Sequence, residues 1–272
     1  MTAREPGKSD VIDAVAIARA AIREGLDALP SAQLAGIELD IRLLVDHRSR
    51  LVATRTRLIN DLRWHLHDLW PELEIPTGGL IAVRFPQRLA ARLAHAAQTT
   101  RVRIARDELR RIRELTRTID EIERDLAPLV AQSAPRLLAE RGCGVLIAAK
   151  LVGEIAGINR FATDAKLARV AGSAPIPASS GQTIRHRLDR GGNRQINCAL
   201  HRLALTKSLH DPDTAAYLTR RQADGKTHRE AMRCLKRHLA RRVWQLLQPD
   251  EHAPTPTTMI HCNTPYNSFH LT

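Results

Sequence analysis

Aromatic residues make up only 3% of this 272-residue chain. That scarcity disfavours single-strand recognition by stacking platforms such as RRM or OB sheets. Cysteine is rarer still. Cys143, Cys198, Cys234 and Cys262 lie far apart with no CxxC pair, which excludes a zinc-ribbon or disulfide-scaffold pattern and leaves buried or idle thiols. No apolar run approaches the roughly 18 to 20 residues of a membrane span, and the opening MTAREPGKSD has no signal-peptide apolar region. The chain is therefore expected to be cytoplasmic, with no membrane partner. Lysine is also sparse, at six positions, yet Lys and Arg total 42 against 29 acids, a net charge of +13. A surface this basic suits a polyanion, nucleic acid first. The 36 arginines supply planar forks that can grip phosphate with two hydrogen bonds. A GC-rich genome would raise Arg over Lys without accounting for the net charge.

With 43% apolar residues the chain can bury a substantial core, and its periodicity is helical almost throughout. A first helix is expected from about Asp10 to Glu24, ended by Gly25. A long helical pattern follows from Pro30-Ser31 to Trp70-Pro71, carrying Leu34, Ile37, Ile41, Leu44, Leu51, Leu58 and Leu62. Leu80 to Val83 is a short strand candidate. Between Pro86 and Pro128, Val102, Ala105, Leu109, Ile112, Leu115, Ile119, Ile122, Leu126 and Leu129 recur at heptad spacing with one slip, at Ile112 to Leu115. So narrow a stripe predicts an antiparallel or intermolecular coiled coil, or one helix laid on a globular core. Boundaries are expected near residues 70 and 134, with a compact helical part over 135–248. The Pro-, Thr-, His- and Asn-rich stretch 249–272 reads as a disordered tail. The fold class is mainly α.

Two segments carry candidate chemistry. Residues 137–151 look like two short helices joined by a glycine turn, in which Gly142 and Gly144 leave room for a backbone phosphate at a helix N-terminus and Lys150 adds charge. An ordinary helical corner would use the same glycines. Further on come Arg160-Phe161, Ala171-Gly172-Ser173-Ala174-Pro175, Ser179-Ser180-Gly181, and then Arg185, Arg187, Arg190, Gly191, Gly192, Asn193 and Arg194. A serine in a Gly-bounded loop, followed closely by cationic side chains, is what attack on a phosphodiester needs. Ser-Ser-Gly is equally at home in a surface loop. A third concentration of charge, Lys236, Arg237, Arg241 and Arg242, falls on the last predicted helix.

These residues carry a resemblance. The run from Gly142 to about Leu247, with its Gly-x-Gly hairpin, Arg160-Phe161, Ala171-Gly172-Ser173-Ala174-Pro175, Ser179-Ser180-Gly181, Gly191-Gly192-Asn193, Asp211-Pro212, Tyr217 and Gly225-Lys226, resembles the C-terminal domain of certain insertion-sequence transposases. These pair a DEDD, RuvC-like nuclease domain with a serine-bearing domain; they are the bridge-RNA-guided recombinases, related to Piv DNA invertases. Ser173 stands where the family usually has Leu, and Arg190-Gly191-Gly192 replaces a Lys-Arg-Gly-like turn. Near the N-terminus, Lys8-Ser9-Asp10-Val11-Ile12-Asp13-Ala14 resembles the family's K-[ST]-D-x-x-D-A motif. The resemblance implies that Ser180 is the nucleophile, with Ser179 the neighbouring candidate. It also implies that Asp10 and Asp13 are the last two acids of a Mg²⁺ site. A three-residue spacing on a helix does place two carboxylates on one face, within reach of one hard cation, although Asp10 as helix cap with Asp13 in the first turn explains the spacing too.

The family's first Asp and its Glu lie upstream on strands, and only nine residues precede Asp10. The chain is thus expected to hold the C-terminal remnant of a RuvC-like domain within 1–70, coiled-coil helices over 71–134, and a serine domain with a helix-hairpin-helix-like unit. The implied function is RNA-guided DNA transposition in a bacterial cytoplasm. Implied partners are element and target DNA, a guide RNA and further copies of the chain joined through the coiled coil. The alternative is a truncated, inactive remnant that binds nucleic acid and oligomerises; a basic coiled-coil scaffold without a DNA role is the third reading.

Overall fold

The structure is a computed structural model that describes residues 10–25, 35–178, 186–187, 189 and 191–249. The chain divides into two units at Gly36. The first contains α1 (Asp10–Glu24), with the expected bounds. Gly25 ends it at φ 80°, its N–H bonded to the Ala21 carbonyl at 3.0 Å. An L side chain is strained in that left-handed conformation, so glycine is the natural terminator.

The second unit begins with α2 (Ile37–Leu69), a 3-10 turn at Gly79–Ile81, α3 (Arg84–His95) and α4 (Thr100–Ser133). The Thr99 hydroxyl caps α4 by accepting from the Val102 N–H. The heptad stripe is used within the chain: α2 and α4 run antiparallel. Their order is fixed by Arg48 donating to Glu123 at 2.8 Å, Arg55 to Thr116 at 3.2 Å, and Arg101 facing Asp68 at 3.2 Å. The heptad slip has a physical counterpart. Leu115 and Thr116 are both half-buried, and the Arg55–Thr116 bond sits where the stripe passes between them. That polar point separates two cores. One gathers Leu62, Leu66, Leu80, Leu89, Leu93, Val102, Ala105, Leu109 and Ile112 at the far end of the hairpin. Each fully buried Leu or Ile there contributes roughly 1.5–3 kcal/mol. Leu80 to Val83, expected as a strand, instead covers the end of the 3-10 turn, Leu80 and Ile81, and the entry to α3, whose N-cap is Val83; Leu80 packs into the core at the far end of the hairpin and is 2% exposed.

The other core joins Ile41, Val45, Ile122, Leu126 and Val130 of the hairpin to the compact C-terminal part. Its elements are α5 (Pro135–Leu138), α6 (Val145–Ile155), α7 (Asp164–Val170), β1 (Ile176–Pro177), β2 (His186–Arg187), α8 (Arg194–His210), α9 (Pro212–Ala223) and α10 (His228–Leu247). The strands pair antiparallel, Ile176 opposite Arg187 and Pro177 opposite His186. A capping box between Thr227 and Glu230 starts α10. Residues 70 and 134, expected as boundaries, directly follow the ends of α2 and α4, which both contribute to the two cores. The expected tail beyond residue 249 lies outside the described residues. No helix among the described residues is long and apolar enough to cross a membrane.

Candidate nucleic-acid and strand-transfer site

The glycine turn between α5 and α6 is packed inward. Gly142 has φ 83°, and a Cβ there would meet Lys207 Cγ at 3.1 Å and Thr206 Cγ2 at 3.4 Å. Lys207 explains the close contact. Its side chain is 4% exposed, and its ammonium donates to Glu140 at 2.7 Å and to the Arg141 carbonyl at 3.4 Å, with Asp211 at 3.5 Å. Glu140 also accepts from Arg242 at 2.9 Å. Burial pulls the Glu140 carboxyl upward, but the hydrogen bonds and charges of Lys207 and Arg242 outweigh it and hold the group below its ordinary value. The nearby Cys143 thiol is pushed up to about 12 by burial and by the Glu140 charge, so it is a buried, inert thiol.

Lys150 points to protein rather than solvent, 3.3 Å from both Asp46 and Glu154. Of the three hairpin residues expected at a phosphate, only Gly144, the N-cap of α6, faces open space. The cations of the last helix are likewise occupied. Lys236 donates to Asn197 at 2.8 Å, Arg237 and Arg241 engage Asp164 at 2.9 and 3.0 Å, and Arg242 holds Glu140. Burial, and then the Arg233 charge, lowers the Lys236 ammonium from its ordinary value.

The motif Ala171 to Pro175 and the motif Gly191 to Asn193 meet. Gly172 takes φ 62°, and a Cβ on Gly192 would lie 2.2 Å from the Gly172 nitrogen, so the two backbones touch. The Asn193 N–H donates to the Val170 carbonyl at 2.6 Å. Asn197 donates to the carbonyls of Ala171 and Gly172 at 2.8 and 3.1 Å. Asp189 is buried, accepting from the Gly191 N–H at 2.9 Å and from Arg169. Asn193 caps α8, its oxygen accepting from Gln195 and Ile196 N–H groups, while its amide donates to Glu154 at 2.9 Å. Asn193 therefore serves the fold.

In sequence, Ser179 and Ser180 fall between β1 and β2. They lie outside the described residues, as do Arg185 and Arg190. Arg187 on β2 and Arg194, first residue of α8, are exposed and have no acidic partner among the described residues. Glu154, Asp189, Asn197 and Lys236 hold the two motifs together; the first three escaped the sequence reading, and Lys236 was expected only as a surface charge. The available signals were Glu154 four residues after Lys150 and an Asn immediately before a helical run.

In the first unit Asp10 opens α1 and is exposed, and Asp13 follows three residues later. Two such carboxylates offer hard oxygen donors suited to Mg²⁺. Among the described residues no group of three His, Cys, Asp or Glu side chains could hold a metal ion.

Residues 134–219 match the model of the transposase IS116/IS110/IS902 family, and residues 1–71 match a second transposase model, of the DEDD domain of IS110 type. An uncharacterized 44.8 kDa protein of insertion element IS116 from Streptomyces clavuligerus is 26% identical over 310 residues, taking 93% of this chain and 74% of the relative. A 42 kDa protein of insertion element IS900 from Mycobacterium paratuberculosis is 27% identical over 304 residues, at 94% and 75% coverage. A 43.6 kDa protein of insertion element IS110 from Streptomyces coelicolor is 39% identical over 105 residues, 38% of this chain and 26% of that protein.

Proposed function

We propose, from the premise that the chain belongs to the IS116/IS110/IS902 family of insertion-element transposases, that it cuts and joins DNA strands through Ser180. The Ser180 hydroxyl oxygen forms a bond to a backbone phosphorus while the bond from phosphorus to a deoxyribose oxygen breaks. The serine gives up its proton, and the departing oxygen takes one. Arg187 and Arg194, exposed and following the serines in sequence, neutralise the charge gathering on the phosphoryl oxygens. Asp10 and Asp13 contribute to holding a divalent cation, which supplies further charge neutralisation when bound.

The observation that carries this reading is the order of the described elements around Ser180 in sequence. Paired strands stand on either side of it in sequence, and Gly192 is seated on Gly172 just beyond. Sequence choice comes from a guide RNA, which suits a basic chain with few aromatic residues. Pairing with further copies uses surfaces other than the heptad seam, since α2 and α4 fill that seam within one chain.

Incubating the purified chain with labelled element-end duplex, guide RNA and Mg²⁺ tests the proposal. Strand transfer by the wild type that is lost in Ser180→Ala supports it, and equal transfer by both refutes it. Salt-sensitive DNA binding without strand transfer would instead assign the chain a binding role alone.

A further inference from the structure

Glu154 lies on α6 with its side chain only 6% exposed. A carboxylate so deeply placed is costly unless its oxygens are used. One oxygen is 3.3 Å from the Lys150 ammonium, which is 3.3 Å from Asp46 on α2. The other accepts from the Asn193 side-chain amide at 2.9 Å. Capping α8 requires only the Asn193 oxygen, so the bond to Glu154 is additional to the cap. An amide shows oxygen on one side and N–H on the other, so a carboxylate on the N–H side dictates which way Asn193 is turned. Two backbone approaches keep this chain of contacts in register. A Cβ on Gly153 would come within 2.8 Å of Arg42 Cα on α2, and Gly192 lies on Gly172.

We infer that Glu154 is a positioning residue. Through the Asn193 amide it fixes the Gly191–Asn193 turn, and so the direction in which Arg194, the next residue and the first of α8, is offered to a nucleic-acid backbone. Lys150 and Asp46 tie the same turn to the long α2–α4 hairpin. The inference deepens the proposed strand-transfer role and rests on it for the identity of the ligand; the fixing of the turn does not depend on it.

A swapped pair tests it. Asn193→Asp keeps an acceptor oxygen for the α8 cap but removes the donor and sets two carboxylates face to face. Adding Glu154→Gln restores one donor and one acceptor in reversed order. Amide hydrogen exchange of the whole chain without DNA should show residues 189–197 exchanging about tenfold faster in Asn193→Asp, with α2 and α4 unchanged, and the double variant returning toward wild type. Binding of a short duplex should show the dependence of log Kd on log salt reduced by about one in Asn193→Asp and recovered in the double variant, one phosphate contact having been lost and regained. Unchanged exchange at 189–197, equal acceleration throughout the chain, or failure of the swap to restore it would overturn the inference. Normal exchange behaviour in a wild type with no duplex affinity would refute the proposed function and leave the fixing of the turn standing.

Discussion

Gly192 rests so closely on Gly172 that a Cβ at 192 would come within 2.2 Å of the Gly172 nitrogen and 2.4 Å of its Cα. Backbone meets backbone here, and no side chain can swing aside. Gly192→Ala should therefore destabilise the chain by about 3 kcal/mol, the upper end of overpacking costs. Gly191→Ala is the matched control. Its Cβ would meet only the Asp189 Oδ1 at 3.5 Å, an ordinary contact, so urea unfolding should move little. Equal effects from the two substitutions would mean that the close approach is absent in solution.

The Lys207–Glu140–Arg242 cluster makes a second prediction. Lys207→Met keeps the apolar stem and removes the charge, leaving Glu140 with Arg242 alone. Unfolding free energy should fall by about 3 kcal/mol, the lower range for breaking a buried pair, because one partner remains. Adding Glu140→Gln should recover part of the loss by removing the uncompensated carboxylate. A double variant no more stable than Lys207→Met would count against the cluster as the source of the loss.

The His238 ring meets Tyr217 edge-on with centroids 5.4 Å apart, and burial followed by the charges of Arg241, Arg221 and Arg237 lowers it from its ordinary 6.5. As pH falls, the unfolded chain binds this proton first, so the group's stabilising effect is present above about pH 6.5 and is lost below it. Unfolding measured between pH 7.5 and about 5 should show declining stability. His238→Phe, which keeps the aromatic edge without the titration, should flatten that decline. An unchanged slope would place the acid sensitivity elsewhere.

Much of the helical skeleton was legible in the sequence, because Gly25 and the heptad stripe are local signals of helix end and helix face. The partner of the stripe was not legible. Spacing alone gives the same pattern whether Ile119 and Ile122 meet α2 of their own chain or another copy. The partners of individual cations were illegible for a related reason. Lys150, Arg237, Arg241 and Arg242 count as free cations in a sum, but each faces an acid distant in sequence: Asp46, Asp164 or Glu140. Asn193 was legible as part of a motif and illegible as a cap joined to Glu154, 39 residues away.

The most direct test of the central claim is mass spectrometry of the chain after denaturing capture on element-end DNA with guide RNA and Mg²⁺. A nucleotide remnant joined to the peptide carrying Ser180, absent from Ser180→Ala, is the expected result. A covalent adduct at another residue, or equal adduct in Ser180→Ala, would contradict it.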